Sequence, residues 1–319
     1  MVTLNKLWIS ALLFAGCLAL PCGLRADSYV FTTLDVPGSY YTNLEAINNL
    51  GQIVGQARDS SGAYGILYHD GVFTRFDAPG GVMTDFVGIN DSGQIVGYYY
   101  DSAGSQHSFL YSNGVYTSID FPGSLTTIVA SINNAGQIVG NFSTGNSGSG
   151  FVYNNGSFST FIPDTFSTTA SINNVGQIFG DLYDADGSHG FVYSNGTLTT
   201  LELPYYSTIG TARIHDANDS GQIVGYAVYR SGRYSFFYNN GVFDTTFLFP
   251  GKEYGATAAN GINNAGQIVG YTAGYTLEDE ADGFIATPVP EPGATSLLAA
   301  GMMVLVLSLL CSRTQIAKP

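Results

Sequence analysis

Ile47-Asn48-Asn49-Leu50-Gly51-Gln52-Ile53-Val54-Gly55 is a nine-residue phrase that the chain writes six times. The other copies are Ile89–Gly97, Ile132–Gly140, Ile172–Gly180, Ala217–Gly225 and Ile262–Gly270. Their Gly-Gln glycines, Gly51, Gly93, Gly136, Gly176, Gly221 and Gly266, are spaced by 42, 43, 40, 45 and 45 residues. A regular period of this size means a repeat architecture. Each phrase reads as two strands around a tight turn. Asn-Asn-x-Gly supplies residues that accept left-handed backbone angles. Gln-Ile-Val-Gly puts two apolar residues side by side, the pattern of a strand buried on both faces. The closing glycine, lacking a Cβ, suits close backbone approach.

A second phrase follows each first one. It reads Ile66-Leu67-Tyr68-His69-Asp70-Gly71 in one copy and Phe151-Val152-Tyr153-Asn154-Asn155-Gly156 in another. Asn-Gly or Asp-Gly between apolar runs signals a type I′ hairpin, which needs two positive φ angles. Each period therefore holds four short antiparallel strands, here called a, b, c and d. That is the pattern of a propeller blade. The reading is an all-β, six-bladed β-propeller over residues 27–288.

The two ends of the repeat region explain each other. The sixth repeat stops after its third strand, Gly283–Thr287. Near the other end, Tyr29-Val30-Phe31-Thr32-Thr33-Leu34-Asp35-Val36-Pro37-Gly38 matches Gly71-Val72-Phe73-Thr74-Arg75-Phe76-Asp77-Ala78-Pro79-Gly80, a strand d. The N-terminal strand should therefore complete the last blade, close the ring and cover an open edge.

Residues 1–26 read as a secretory signal: Lys6, an apolar stretch from Leu7 to Leu20, and a cleavage site between Ala26 and Asp27. Signal peptidase and the export machinery are the implied partners. Leu13-Phe14-Ala15-Gly16-Cys17 offers a second reading, a lipobox that would acylate Cys17. Residues 289–319 form a second targeting device. Val289-Pro290-Glu291-Pro292 precedes an apolar run from Gly293 to Cys311, then Arg313 and Lys318. Nineteen helical residues would reach roughly 28 Å, close to a bilayer core, which predicts one C-terminal transmembrane helix. Its basic end would stay cytoplasmic. This tail resembles the PEP-CTERM sorting signal. The resemblance implies processing near Pro-Glu-Pro by an exosortase-like membrane enzyme, and a cell-surface or extracellular destination. A plain C-terminal anchor is the alternative.

The paired phrases of residues 29–287 resemble the HAF-repeat family of extracellular proteins. The Asn-Asn-x-Gly-Gln-Ile-Val-Gly phrase carries the resemblance. The His-Ala-Phe triplet is degenerate here: Tyr64-Gly65-Ile66, His107-Ser108-Phe109, Ser149-Gly150-Phe151, His189-Gly190-Phe191, Tyr234-Ser235-Phe236 and Asp282-Gly283-Phe284. The resemblance implies export and repetition, with no settled activity.

Composition narrows the partners. The formal net charge is −14, and only Arg58, Arg75, Arg213, Arg230, Arg233 and Lys252 are basic between the two end segments. Nucleic acid would need neutralising Lys and Arg, so it is excluded. The three cysteines, Cys17, Cys22 and Cys311, all lie in the end segments, which leaves the body without disulfides or thiolate metal sites.

The search for chemistry yields little. The a–b and c–d turns share one face of the ring and are short and uniform. The b–c loops and d–a connections share the other, are longer and varied, and are the expected binding face. That face would carry Tyr40, Tyr41, Tyr205, Tyr206 and Tyr254, flat side chains suited to a sugar or a protein surface. Asp184-Ala185-Asp186-Gly187 starts like a calcium loop but lacks the distant Glu, and reads as an ordinary turn. His215-Asp216 is the one local irregularity in the repeats that would make a site. It has no nucleophile elbow beside it. No phosphate loop or dinucleotide fingerprint implies a cofactor, and no metal site is expected. The expected function is a non-enzymatic binding or scaffold module for extracellular polysaccharide or a surface protein. The alternative is a hydrolytic, carbohydrate-active propeller with acidic side chains converging at the central mouth.

Overall fold

The computed structural model describes residues 29–145, 148–161, 166–184, 187–201, 211–229, 232–245, 247–252, 257–272 and 281–289. The expected signal segment and Pro290 onward, including the expected C-terminal helix, lie outside them. Among the described residues there are twenty-four strands and no helix, hence none long and apolar enough to cross a membrane.

The strands form antiparallel groups of four. After β1 (Tyr29–Thr33), the first group is β2 (Tyr41–Ile47), β3 (Ile53–Asp59), β4 (Gly62–His69) and β5 (Val72–Phe76). The second is β6 (Gly81–Ile89), β7 (Ile95–Asp101), β8 (Gln106–Ser112) and β9 (Val115–Ser118). A single parallel bridge, Ala63 to Met83, joins these two into one eight-stranded sheet. Then come β10 (Thr126–Ile132), β11 (Ile138–Ser143), β12 (Gly148–Asn154) and β13 (Ser157–Thr160), followed by β14 (Phe166–Ile172), β15 (Ile178–Asp184), β16 (Gly187–Ser194) and β17 (Thr197–Leu201). Next are β18 (Thr211–Ala217), β19 (Ile223–Tyr229), β20 (Gly232–Asn239) and β21 (Val242–Asp244). The last group, β22 (Thr257–Ile262), β23 (Ile268–Thr272) and β24 (Asp282–Pro288), takes β1 as its fourth strand. β1 runs antiparallel to β24, from Tyr29 opposite Pro288 to Thr33 opposite Phe284. The N-terminal strand thus fills the gap that the sequence leaves.

First strands pack on first strands in a cycle, from β2 through β6, β10, β14, β18 and β22 back to β2. Burial follows the phrase: Ile53, Val54, Ile95, Val96, Ile138 and Val139 in the second strands are all 1% exposed or less. Residues from neighbouring groups mix in the core. Phe179 of β15 packs with Ile214, Ile223 and Phe236 of the next group.

The turns obey their residues, with one correction. In the c–d hairpins both central residues have positive φ, as in Asn113 (51°) and Gly114 (84°). In the Asn-Asn-x-Gly turns only the glycine does, for example Gly51 at 77°. The asparagines are there for their side chains. Asn48 Oδ1 accepts from the backbone N–H groups of Leu50 and Gln52 at 3.0 and 2.9 Å, and its Nδ2 donates to Gln52 Oε1 at 2.7 Å. That Nδ2 also donates to the Asn90 carbonyl in the next group, 3.0 Å away. The closing glycine is required by contact: a Cβ on Gly140 would sit 2.2 Å from the Ile128 carbonyl oxygen.

The asparagine bond recurs around the ring. Asn90 donates to the Asn133 carbonyl, Asn133 to Asn173, Asn173 to Asn218, Asn218 to Asn263 and Asn263 to Asn48. A second cycle runs outside the first. The backbone N–H of Asn49 donates to Asp91 Oδ1, and the same step links Asp91 to Asn134, Asn174, Asp219, Asn264 and back to Asn49, at 2.7–2.9 Å.

Candidate functional site

Every first strand carries a β-bulge at the same place, and β6 has a second register shift at its start, between Gly81 and Met83. The shared register shifts lie between Leu44 and Ala46, Phe86 and Gly88, Val129 and Ser131, Thr169 and Ser171, Ile214 and Asp216, and Ala259 and Gly261. A bulge inserts one unpaired residue and re-aims its side chain. The inserted residues are Glu45, Val87, Ala130, Ala170, His215 and Asn260, and all six line one cavity of about 260 Å³ on the ring axis. Asn49, Asp91, Asn134, Asn174, Asp219 and Asn264 rim it at the a–b turns.

The lining is one-sided. Val87, Ala130 and Ala170 come from consecutive groups and make an apolar half. His215, Asn260 and Glu45 come from the other three and make a polar half, wired together. His215 Nδ1 lies 3.0 Å from Asn260 Oδ1, and Asn260 Nδ2 donates to Asn43 Oδ1 at 2.8 Å and to the Leu44 carbonyl at 3.0 Å. Asn43 Nδ2 in turn donates to Glu45 Oε1. The His215 ring meets Tyr226 edge-on at 5.0 Å.

Carboxylates converge here. Glu45 is half-buried, facing the cavity with protein packed closely around the rest of it. That enclosure first, and the Asp85 charge second, push its carboxyl well above the ordinary range, against the Asn43 amide. Burial raises Asp85 as well, opposed by the Tyr98 hydroxyl, the Arg58 charge and the Phe86 N–H. Tyr98 Oη donates to Asp85 Oδ2 at 3.0 Å, while buried Asp85 Oδ1 has no hydrogen-bond partner among the described residues. Desolvation beside these two acids raises Tyr98 in turn.

Asp216 is different. Its Oδ1 accepts from Ser171 Oγ and the Ala217 N–H, and its Oδ2 from the Ile262 N–H at 2.9 Å. It therefore clamps β14, β18 and β22 together. Burial pushes it up to about 6, held back by those three donors. Among the described residues no three His, Cys, Asp or Glu side chains are grouped to hold a metal ion.

The irregularity at His215-Asp216 is thus part of the cavity. Tyr40 and Tyr41 are not. Tyr40 is 54% exposed and borders a separate cavity of about 250 Å³ at the seam, with Asp35, Thr42 and Asp282. Tyr41 lies under the Arg58 guanidinium at 4.7 Å, beside Tyr271. Tyr205, Tyr206 and Tyr254 lie outside the described residues, as do Ala26, Asp27, Pro290, Glu291 and Pro292. Val289, the first residue of the expected sorting motif, is exposed just past β24. Glu45 and Asn260 escaped the sequence reading. The signal was available: the residue two before each phrase is polar in three ring-adjacent repeats and apolar in the others.

No family model matches the chain, and no curated protein does. Solved structures do. A gluconolactonase from Xanthomonas campestris is 11% identical, with 83% of this chain and 92% of that one aligned at a TM-score of 0.52. TolB from Acinetobacter baumannii is 12% identical over 74% of this chain and 64% of that one, TM-score 0.51. A fucose-recognising fungal lectin from Aleuria aurantia is 11% identical over 82% of this chain and all of that one, at a TM-score of 0.47. The neighbours are β-propellers, and at these identities the likeness shows the fold alone.

Proposed function

We propose that this chain is an exported six-bladed propeller of the HAF-repeat kind that binds a small neutral sugar unit in its axial cavity. Its binding role would be served at the cell surface or outside the cell. The observation that carries the reading is the split lining: Glu45, Asn260 and His215 opposite Val87, Ala130 and Ala170. A pyranose presents hydroxyl edges and an apolar C–H face, and this cavity offers a counterpart for each. Its size falls just below the ~300–1,000 Å³ of drug-sized pockets, which suits one sugar ring. Asp91, Asp216 and Asp219 in the lining disfavour anionic ligands. The cavity opens at the uniform turns, so the ligand would enter there rather than among the longer loops.

The tail residues 289–319 support a PEP-CTERM-type anchor, held in the membrane until an exosortase-like enzyme releases it. Calorimetric titration of the full chain with a panel of neutral monosaccharides and extracellular polysaccharides tests the binding role. Saturable heat that disappears in His215→Ala and Asn260→Ala supports it. Silence across the panel overturns it.

A hydrolytic reading rests on the neighbouring carboxyls of Glu45 and Asp85. Burial favours a protonated acid there, and a protonated carboxyl beside an ionised one is the equipment for acid–base glycoside chemistry. Turnover on a glycoside panel, abolished in Glu45→Gln, would establish it. Fold likeness contributes nothing to the choice, because propellers host many functions.

A further inference from the structure

From the placement of both chain ends, we infer that the a–b turn face of the ring, with the mouth of the axial cavity, lies against the lipid bilayer while the C-terminal anchor is in place. The inference rests on the anchor reading above. Strand β24 runs toward the a–b turns and ends there. Its Pro288 stands opposite Tyr29, and both reach the Gly266 turn: a Cβ on Gly266 would lie 3.6 Å from Pro288 Cγ and 3.9 Å from Tyr29 Oη. The described chain therefore leaves the ring on this face at both ends. The apolar run begins at Gly293, four residues past Val289, a span of roughly 14 Å at full extension. A tether that short cannot carry the chain around the ring, so this face stays beside the membrane.

The same face carries unpartnered aliphatic side chains at repeated positions. Val30, Val72, Val115 and Val242, each the first residue after a c–d turn or its equivalent, are 57–62% exposed. Leu50 and Val175, in the a–b turns, are 65% and 64% exposed. Solvent-side strand positions have no packing need for valine, whereas shallow insertion among lipid headgroups uses it. Asp91 and Asp219 share the face with Asp70, which has the His69 ring 3.5 Å away, and no Lys or Arg stands there among the described residues, so an unanchored body gains little from an anionic surface. The tether supplies the local concentration instead. The axial mouth is then presented to molecules at the membrane surface, and cleavage at the sorting motif would turn it to the outside.

The test uses the full chain, with Cys17, Cys22 and Cys311 changed to Ser, reconstituted in phosphatidylcholine nanodiscs. Single Val72→Cys, Val242→Cys or Ala103→Cys variants carry an environment-sensitive fluorophore, Ala103 lying on the opposite face. Headgroup spin-labelled phosphatidylcholine should quench the label at 72 and 242 at least about threefold more than at 103, as expected for residues seated at the interface. Equal quenching on both faces in chains that co-purify with the discs overturns the inference and leaves the anchor reading intact. Chains that fail to enter discs overturn both. Pyrene excimers between two Val72→Cys chains would place a second copy on this face and also overturn it.

Discussion

The side-chain Nδ2 of Asn263 donates to the backbone carbonyl of Asn48, 3.2 Å away and 215 residues earlier in the chain. It is the same bond that joins each group to the next, made here between the last repeat and the first. A linear array would leave one such donor and one such carbonyl facing solvent. In the ring every copy is satisfied, so each asparagine serves its own turn and its neighbour's.

Asn263→Ala should destabilise the protein far more than Asn264→Ala. Asn263 is buried and also donates to Gln267 Oε1 while accepting from the Ala265 and Gln267 N–H groups. With each bond worth about 0.5–1.5 kcal/mol net, the loss should reach about 2–4 kcal/mol. Asn264 is exposed, and its removal should cost under about 1 kcal/mol. Urea unfolding of both variants checks the order. Equal losses would mean that the inner cycle holds nothing together.

Deleting residues 27–38 should lower the melting temperature sharply and drive association. It strips β24 of its partner and removes Tyr29 and Phe31, whose rings pack on Phe247 at 5.4 and 5.1 Å. Losing several ladder bonds and two aromatic contacts is a large share of a stability of ~5–15 kcal/mol. The bare edge would pair with another copy. Melting and size-exclusion of truncated and full chains should diverge together.

Asp181→Asn should stabilise the protein above neutral pH and change it little at pH 5. Asp181 Oδ1 accepts from the Ile214 N–H at 3.2 Å across a group boundary. Asn141 does the same work one group earlier, accepting from Thr169 N–H at 2.9 Å and donating to its carbonyl. Burial raises Asp181 from 3.8 to about 7, opposed by that N–H, the Arg213 charge and Thr168. A carboxyl raised on folding binds more protons folded than unfolded. Its contribution to stability therefore falls as pH rises from about 4 to 7 and stays low above that. The amide removes the penalty, about 1–3 kcal/mol at pH 8. Denaturation at pH 5 and pH 8 reads the difference; a variant weaker than wild type at pH 8 would show that the charge is needed.

Ala130→Leu should abolish sugar binding while leaving the polar half of the cavity intact. Leucine would project from the bulge into a space of about 260 Å³. Because the side chain enters a cavity rather than a packed core, stability should shift by under about 1 kcal/mol. Titration and melting on the same sample separate the two effects. Undiminished binding would place the sugar elsewhere.

Much of this could be read in the repeats. Asn-Gly and the Gly of Asn-Asn-x-Gly are local conformational requirements, legible one turn at a time. The match of Val30-Phe31-Thr32 to Val72-Phe73-Thr74 named the partner of β24, because a strand's text reflects the pocket that it fills. The asparagines were misread. A residue constant in every copy looks alike whether it bends the chain or bonds to a neighbour, and only the positions of Asn90 and Asn133 beside Asn48 and Asn90 separate the two.

The sequence by itself determined the strands, the hairpins and the strand that closes the last group, since each depends on contacts within one period or on text that repeats. Only the tertiary structure decided the site. One extra residue in each first strand leaves the hydrophobic pattern intact, yet it turns Glu45, Asn260 and His215 toward the axis. They lie 45 and 215 residues apart in the chain and meet only because the ring brings β18, β22 and β2 side by side.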